Sequence, residues 1–226
     1  LGHGALLCDV LRVSLRYRRL MQLEEGYGIP LMPLEALARE IYHDDPAECF
    51  IPKGTGIREM VSVARMQKAA AIMQWKLEGQ AIARHPEWGM QNRMLLHRID
   101  HEAGTIEVDG VVYPLRDRHF PTIDPADPYE LSEPERRCLN RMKSSYLASQ
   151  KLWDQMGWMV RRGSMSIRRE EQLIFHGCVP VDEKGEFLPM VIDGAERYGR
   201  GMFESIDQVV YRVMDGKPAR DDLDLL

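Results

Sequence analysis

The feature that most constrains the fold is a long helical pattern between Ile57 and Ala83. Apolar residues recur there at steps of three and four, namely Val63, Met66, Ala70, Met73 and Leu77. This spacing places one continuous apolar face along a helix. The helix must end before Pro86, because proline cannot continue it. The predicted helix is long, about 27 residues or about 40 Å. We expect the stripe, with Trp75, to fill a core.

Two helices are predicted before it. From Leu6 onward an amphipathic pattern ends at Gly26 and Gly28, and its expected core-facing residues are Leu6, Val10, Val13, Tyr17 and Leu20. A shorter helix opens at Pro33 and runs to Tyr42. After the long helix, Met90 to Ile99 predicts one further short helix.

A second long helix is predicted to begin with a capping box. Ser132 and Glu135 have the spacing in which the serine hydroxyl and the glutamate carboxylate each accept a free backbone N–H of the first turn. The apolar residues that follow keep the helical spacing up to a stop at Gly163. They are Leu139, Met142, Tyr146, Trp153, Met156 and Val160. A last helix is predicted from about Gly201 to Met214.

Strand signals are short and local. Thr105–Val108 and Val111–Tyr113 flank Asp109-Gly110, a two-residue turn sequence typical of a β-hairpin. A second hairpin is predicted from Ser164–Arg168 and Gln172–Phe175, and a further strand near Leu188–Ile192. The predicted fold class is therefore α+β and mostly helical.

Composition excludes several function classes. The net charge of -5 comes from charges of both signs spread along the chain, so no basic surface for nucleic acid or an anionic membrane is expected. No apolar run approaches the roughly 20 residues of a membrane span. The four cysteines form no C-x-x-C pair, which fits free thiols in a reducing compartment. We expect a cytoplasmic protein.

The candidate functional residue is His176. The apolar run Leu173–Phe175 is typical of an interior strand covered on both faces, and Gly177 lets the backbone leave the sheet. The carboxyl ends of strands are where ligands commonly bind, so an imidazole there can contact a metal or an anion. On spacing alone, a hydrogen-bonded structural histidine is the favoured alternative.

Other candidate motifs are incomplete. A thiol phosphatase needs His directly before the nucleophilic Cys and an Arg six residues after it, whereas Gly177 precedes Cys178 and Lys184 follows at that position. His97 and His101 have a zinc-protease spacing without the required glutamate, so we expect surface histidines. The isolated histidines are expected to be structural or exposed. They are His43, His85 and His119.

Several segments together resemble one family. They occur in the family's order and spacing, and they are Met73–Glu78, Leu95–Asp100, Phe120–Pro125, Arg162–Ser164 and, above all, Ile174–Gly185. In these segments the chain resembles the class 3 fructose-1,6-bisphosphatases, whose catalytic core is similar to that of the calcineurin-like metallophosphoesterases. The resemblance implies that residues 1–162 are a helical insertion with a small β-hairpin near 105–115. It implies that residues 163–226 are part of the catalytic α/β sandwich.

The resemblance also implies the chemistry. Such enzymes hold two divalent metals, usually Mn²⁺, and His176 matches the lone histidine that serves as a metal ligand at a strand end. No other site residue is assigned in this chain, because the motifs D-x-H, G-D-x-x-D and G-N-H-D are expected before Leu1 and the final G-H motif after Leu226. One histidine cannot build that site, so an isolated fragment is expected to bind metal weakly and to be inactive.

The implied reaction is removal of the 1-phosphate from fructose 1,6-bisphosphate by metal-activated water, in gluconeogenesis. The implied partner is this small sugar bisphosphate, with no nucleic acid or membrane, and the oligomeric state stays open. Two alternatives remain: a metallophosphoesterase for another phosphate ester, and a non-catalytic helical module for assembly or regulation in which His176 is only structural.

Overall fold

The structure is a computed structural model and describes residues 2–51, 57–175, 177–219 and 222. Its helices are α1 (Gly2–Arg16), α2 (Met32–Ile41), α3 (Ile57–Arg84), α4 (Glu133–Ala148), α5 (Gln150–Arg162) and α6 (Gly199–Met214). Its strands are β1 (Ile99–Asp100), β2 (Thr105–Val108), β3 (Val111–Pro114), β4 (Ser166–Arg169), β5 (Gln172–Phe175), β6 (Met190–Ile192) and β7 (Ala195–Arg197). The predicted mostly helical α+β class is confirmed. None of the described helices combines the length and apolar character needed to cross a bilayer.

The chain divides into two compact units, residues 1–150 and 151–226. In the first unit α1 and α2 pack against α3, whose predicted stripe residues Met66, Ala70, Met73 and Leu77 are buried. Trp75 is 40% exposed, so the prediction that it fills the core was wrong. Trp75 follows Met73 by two residues, which is a rotation of about 200° around the helix axis, so its side chain faces away from that stripe.

The first helix buries a different face from the one predicted. Ala5, Cys8, Leu11 and Leu15 are buried, whereas four residues of the predicted core-facing stripe are exposed. They are Leu6 (57%), Val10 (45%), Val13 (38%) and Tyr17 (66%). Both sides of α1 keep the three-four spacing, so periodicity alone cannot select the side that packs against α3.

The predicted hairpin of the first unit forms. Val108 pairs with Val111, and Asp109 and Gly110 between them have φ of 51° and 78°, the positive values that a two-residue hairpin turn of this type requires. β1 adds a third antiparallel strand beside β2. The helix predicted over 90–99 was wrong: the chain makes short 3₁₀ turns at Pro86–Trp88, Gln91–Arg93 and Leu96–Arg98. Helices this short are marginal without a packed face.

The capping box at α4 is present, and the Glu135 carboxylate accepts the backbone N–H of Ser132 at 2.7 Å. The predicted single helix up to Gly163 was wrong, because Ser149 separates α4 from α5. Its backbone is extended (φ −77°, ψ 91°), and its hydroxyl donates to the carbonyl of Tyr27 at 2.6 Å.

The second unit contains α5, the hairpins β4–β5 and β6–β7, and α6. Its buried cluster consists of Ile192, Met202, Phe203 and Val209. The β4–β5 hairpin and the last helix are confirmed. The residues Leu173–Phe175, which were expected to be covered on both faces, are 39–52% exposed, since β5 pairs only with β4 in the described chain.

Candidate functional site

The predicted metal ligand, His176, lies outside the described residues. The residues on either side of it are described. β5 ends at Phe175, whose ring centroid lies 5.3 Å from that of Phe203 in α6. Gly177 has a φ of 97°, a conformation that favours glycine, so the chain turns away from the strand there.

The segment after this strand is organised by Asp182. Its carboxylate accepts the backbone N–H of Lys184 at 2.8 Å and of Glu186 at 2.9 Å. Gly185 follows with a φ of 84°. These hydrogen bonds give Asp182 the role of a turn residue.

The described residues do not form a metal centre by themselves. Among them no three His, Cys, Asp or Glu side chains come together in a way that could hold a metal ion. His97 bonds through Nδ1 to the hydroxyl of Tyr129 at 2.9 Å, and His101 lies in the turn after β1. The described residues thus supply no complete set of metal ligands.

A polar cluster around the buried Asp45 and Lys68 of the first unit was not predicted from the sequence. We call Asp45, Lys68, Asp117 and His119 the Asp45 cluster. The Lys68 ammonium, with no solvent exposure, lies 2.5 Å from the Asp45 carboxylate and 2.8 Å from that of Asp117. His119 Nδ1 lies 3.0 Å from the same Asp45 oxygen. These contacts join the turn after α2, the middle of α3 and the loop after β3.

Asp45 is held in its charged form. Burial acts to raise the pKa of its carboxyl, but hydrogen bonds from Lys68, the Ala47 N–H and His119, together with the Lys68 charge, more than offset this and lower the pKa. The Ala47 N–H bond, at 2.7 Å, also supports a left-handed backbone at Ala47 (φ 46°). Asp45 is thus ionised at neutral pH and fixes the local turn.

A groove of about 860 Å³ opens beside this cluster. Its lining residues are Asp45, Pro46, Ala47, Glu48, Cys49, Arg116, Asp117, Arg118 and His119. Acidic and basic side chains line the groove in similar number, so its charge alone does not select an anion or a cation. The buried Lys68 ammonium donates to the carboxylates of Asp45 and Asp117. Its Nζ also lies 5.5 Å from the centroid of the Phe120 ring, over the ring face. These contacts give Lys68 a structural role.

A second buried lysine anchors the same loop. Lys76 Nζ lies 2.8 Å from the Glu135 carboxylate and donates to the Thr122 carbonyl at 2.5 Å. Lys68 and Lys76 are eight residues apart and so lie on one side of α3. Together they fix the loop that contains the family-like segment Phe120–Pro125. The sequence contained one sign of these buried ion pairs: Lys68 and Lys76 both lie within a helical stretch that was otherwise predicted to be buried.

A family model and two curated relatives that match this chain all carry the name fructose-1,6-bisphosphatase. A family model described as Firmicute fructose-1,6-bisphosphatase matches residues 1–226. A fructose-1,6-bisphosphatase class 3 of Clostridium novyi is 42% identical over 212 residues, which are 92% of this chain and 32% of the relative. One of Bacteroides thetaiotaomicron is 39% identical over 227 residues, 98% of this chain and 34% of the relative. The chain thus spans about a third of the length of these curated relatives. No solved structure matches it.

Proposed function

The chain belongs to the Firmicute fructose-1,6-bisphosphatase family, and from this premise we propose that the complete protein hydrolyses fructose 1,6-bisphosphate to fructose 6-phosphate and phosphate. The observation that carries the proposal is the family match over all of residues 1–226. Two relatives named fructose-1,6-bisphosphatase class 3 are 42% and 39% identical to the chain. The proposed partner is accordingly a small sugar bisphosphate.

His176 is proposed as one ligand of the enzyme's divalent metals, with Mn²⁺ as the metal. Support comes from its place between the end of β5 and the turn at Gly177, and from the family resemblance of Ile174–Gly185. Such metals neutralise phosphate charge and activate water near neutral pH when bound. Because the described residues bring no three ligands together, the remaining ligands are proposed to come from the rest of the protein.

Residues 163–226 are proposed to belong to the catalytic α/β core, and residues 1–162 to a helical insertion. Support comes from the two hairpins of the second unit. Ile174 is 52% exposed and Val191 is 65% exposed, and isolated two-stranded sheets are marginally stable in water. Further strands and helices of a larger sandwich would cover these side chains. A cytoplasmic location is part of the same proposal and is supported by four free cysteines.

The test is a substrate comparison with the complete gene product. After metal removal and reloading with Mn²⁺ or Mg²⁺, kcat/KM is measured for fructose 1,6-bisphosphate, a nucleoside monophosphate and p-nitrophenyl phosphate. We expect the sugar bisphosphate to be preferred by at least about 100-fold, since a site built for two phosphates leaves polar groups unpaired with the others. Equal rates on all three would favour a general phosphoesterase. No hydrolysis with any metal would overturn the proposal.

A further inference from the structure

The groove beside the Asp45 cluster has the properties of a ligand site. Its volume of about 860 Å³ falls within the range of small-molecule pockets, about 300–1,000 Å³. The Asp45 carboxylate, only 2% exposed, is part of its lining, and buried ionised groups in a pocket are typical of functional sites. Ala47 in the same lining has a left-handed backbone, with a φ of 46°. Backbone strain of this kind at a residue other than glycine is concentrated at ligand sites.

The Asp45 carboxylate is already occupied and fixes a neighbouring acceptor. One of its oxygens accepts the Ala47 N–H, and the other faces Lys68 and His119 Nδ1. Because an ionised carboxylate only accepts hydrogen bonds, Nδ1 of His119 carries the hydrogen, and Nε2 of the neutral ring is an acceptor. The His119 side chain is 42% exposed and lines the groove, so Nε2 is available to a ligand.

Two arginines supply donors to the same groove. Arg116 and Arg118 both line it and are exposed. Within the described part of the chain, the guanidinium of Arg116 has no hydrogen bond or ion pair. That of Arg118 makes one long hydrogen bond, from Nε to the Leu115 carbonyl at 3.4 Å. The terminal nitrogens are therefore free to donate, and a guanidinium binds phosphate through two parallel N–H bonds.

Glu48 adds a second acceptor. Its side chain is exposed, lines the groove and has no ion pair with another described residue. A simple anion would leave this carboxylate and His119 Nε2 unused, and a metal ion would be repelled by the two arginines. A small molecule that carries both a phosphate and several hydroxyl groups satisfies the donors and the acceptors together.

We propose that this groove binds a sugar phosphate, with the phosphate on Arg116 and Arg118 and sugar hydroxyls donating to Glu48 and His119 Nε2. The mixed charge of the groove thus selects a ligand by its pattern of donors and acceptors. The inference rests on the residues of the first unit and does not depend on the reaction. The ligand is either the substrate of the proposed reaction or a different sugar phosphate, and the test separates these two sources.

Cys49 provides the test, because it is exposed and lines the groove. The complete protein is treated with a chelator so that no sugar phosphate is hydrolysed. Modification of Cys49 by N-ethylmaleimide is then timed by peptide mass spectrometry. Fructose 1,6-bisphosphate, glucose 6-phosphate, inorganic phosphate and glucose are added separately at equal millimolar concentrations. We expect a sugar phosphate to slow the modification by about tenfold, and phosphate and glucose to leave it nearly unchanged.

The pattern of protection identifies the ligand. Protection by fructose 1,6-bisphosphate alone supports the proposal with the substrate as the source. Protection by glucose 6-phosphate, alone or in addition, supports it with a sugar phosphate other than the substrate. Protection by inorganic phosphate as strong as that by the sugar phosphates overturns the proposal. So does the absence of protection by both sugar phosphates.

A pair of variants then assigns the protection to the proposed contacts. Arg116→Gln removes one guanidinium and breaks no contact among the described residues, so it should fold normally and weaken binding at least about tenfold. Arg141→Gln, at an exposed position of α4, is the matched control and should bind as wild type does. Equal protection in the two variants overturns the proposal. Neither measurement uses turnover, so a failed phosphatase assay leaves the result readable.

Discussion

The ammonium of Lys76 in α3 lies 2.8 Å from the carboxylate of Glu135 in the first turn of α4, and neither side chain is more than 2% exposed. Glu135 also accepts the hydroxyl of Thr122 at 2.7 Å and the N–H of Ser132 at 2.7 Å. A single carboxylate therefore joins the long helix, the start of α4 and the loop between them. Removing either charge leaves the other buried without its ion-pair partner.

We expect Lys76→Met to destabilise the protein by about 3–5 kcal/mol, because a buried carboxylate without its partner is costly. Urea unfolding measures the change. Lys143→Met, at an exposed position of α4, is the control and should stay within about 0.5 kcal/mol of wild type. The double variant Lys76→Met/Glu135→Gln should recover part of the loss. A loss below about 1 kcal/mol for Lys76→Met would show that the pair contributes little.

The Asp45 cluster predicts a pH dependence of stability. The folded-state pKa of Asp45 lies below its ordinary value of 3.8, so its ionisation stabilises the folded state above that pH. The contribution is lost as pH falls through the folded pKa. The stability difference between wild type and Asp45→Asn should therefore shrink below about pH 4.

The matched control for this measurement is Asp44→Asn, since Asp44 is the exposed neighbour of Asp45. Its stability difference from wild type should be small at every pH. A difference for Asp45→Asn that stays constant down to pH 2 would contradict the proposed role of the cluster.

The ring of Tyr129 leaves no space for a side chain at Gly79 in α3. A Cβ at Gly79 would lie 2.1 Å from Cδ1 of that ring, and the Tyr129 hydroxyl accepts the N–H of Leu96 at 3.1 Å. Gly79→Ala should therefore cost about 1–3 kcal/mol through overpacking, although alanine normally favours a helix. At Gly157 in α5 the nearest atom is 3.1 Å away and belongs to the flexible end of Arg161, so Gly157→Ala should be neutral or stabilising. Thermal unfolding distinguishes the two, and equal effects would be inconsistent with the Tyr129 contact.

Two cysteines should resist alkylation in the native protein. Burial, assisted by neighbouring acidic groups, raises the pKa of both Cys8 and Cys138 to about 12, so little reactive thiolate exists at pH 8. Cys49 is exposed and serves as the internal control. Iodoacetamide treatment followed by peptide mass spectrometry should find Cys49 modified first. Modification of Cys8 at the rate of Cys49 would show that α1 does not pack as described.

Local patterns in the sequence predicted local structure well. Residues 57–84 form one helix because spacing and Pro86 both specify it, and Asp109-Gly110 specifies its hairpin turn. The same turn chemistry at Asp193-Gly194, where both φ values are positive, would have predicted the β6–β7 hairpin, which was missed.

Relationships between distant residues could not be predicted in this way. The buried side of α1 depends on contact with α3, since both sides of α1 are apolar. Lys68 and Asp117 are 49 residues apart, and no local pattern links them. The assignment of His176 came from family resemblance, and it stays a prediction because that residue lies outside the described ranges.

The most direct test of the proposed function is metal content and turnover of the complete protein carrying His176→Ala. We expect the variant to lose bound Mn²⁺ and to hydrolyse fructose 1,6-bisphosphate at least about 100-fold more slowly, because a divalent metal needs several ligands at once for tight binding. His43→Ala, at an exposed histidine, should keep both properties. Normal metal content and normal turnover in His176→Ala would contradict the assignment of His176 as a metal ligand.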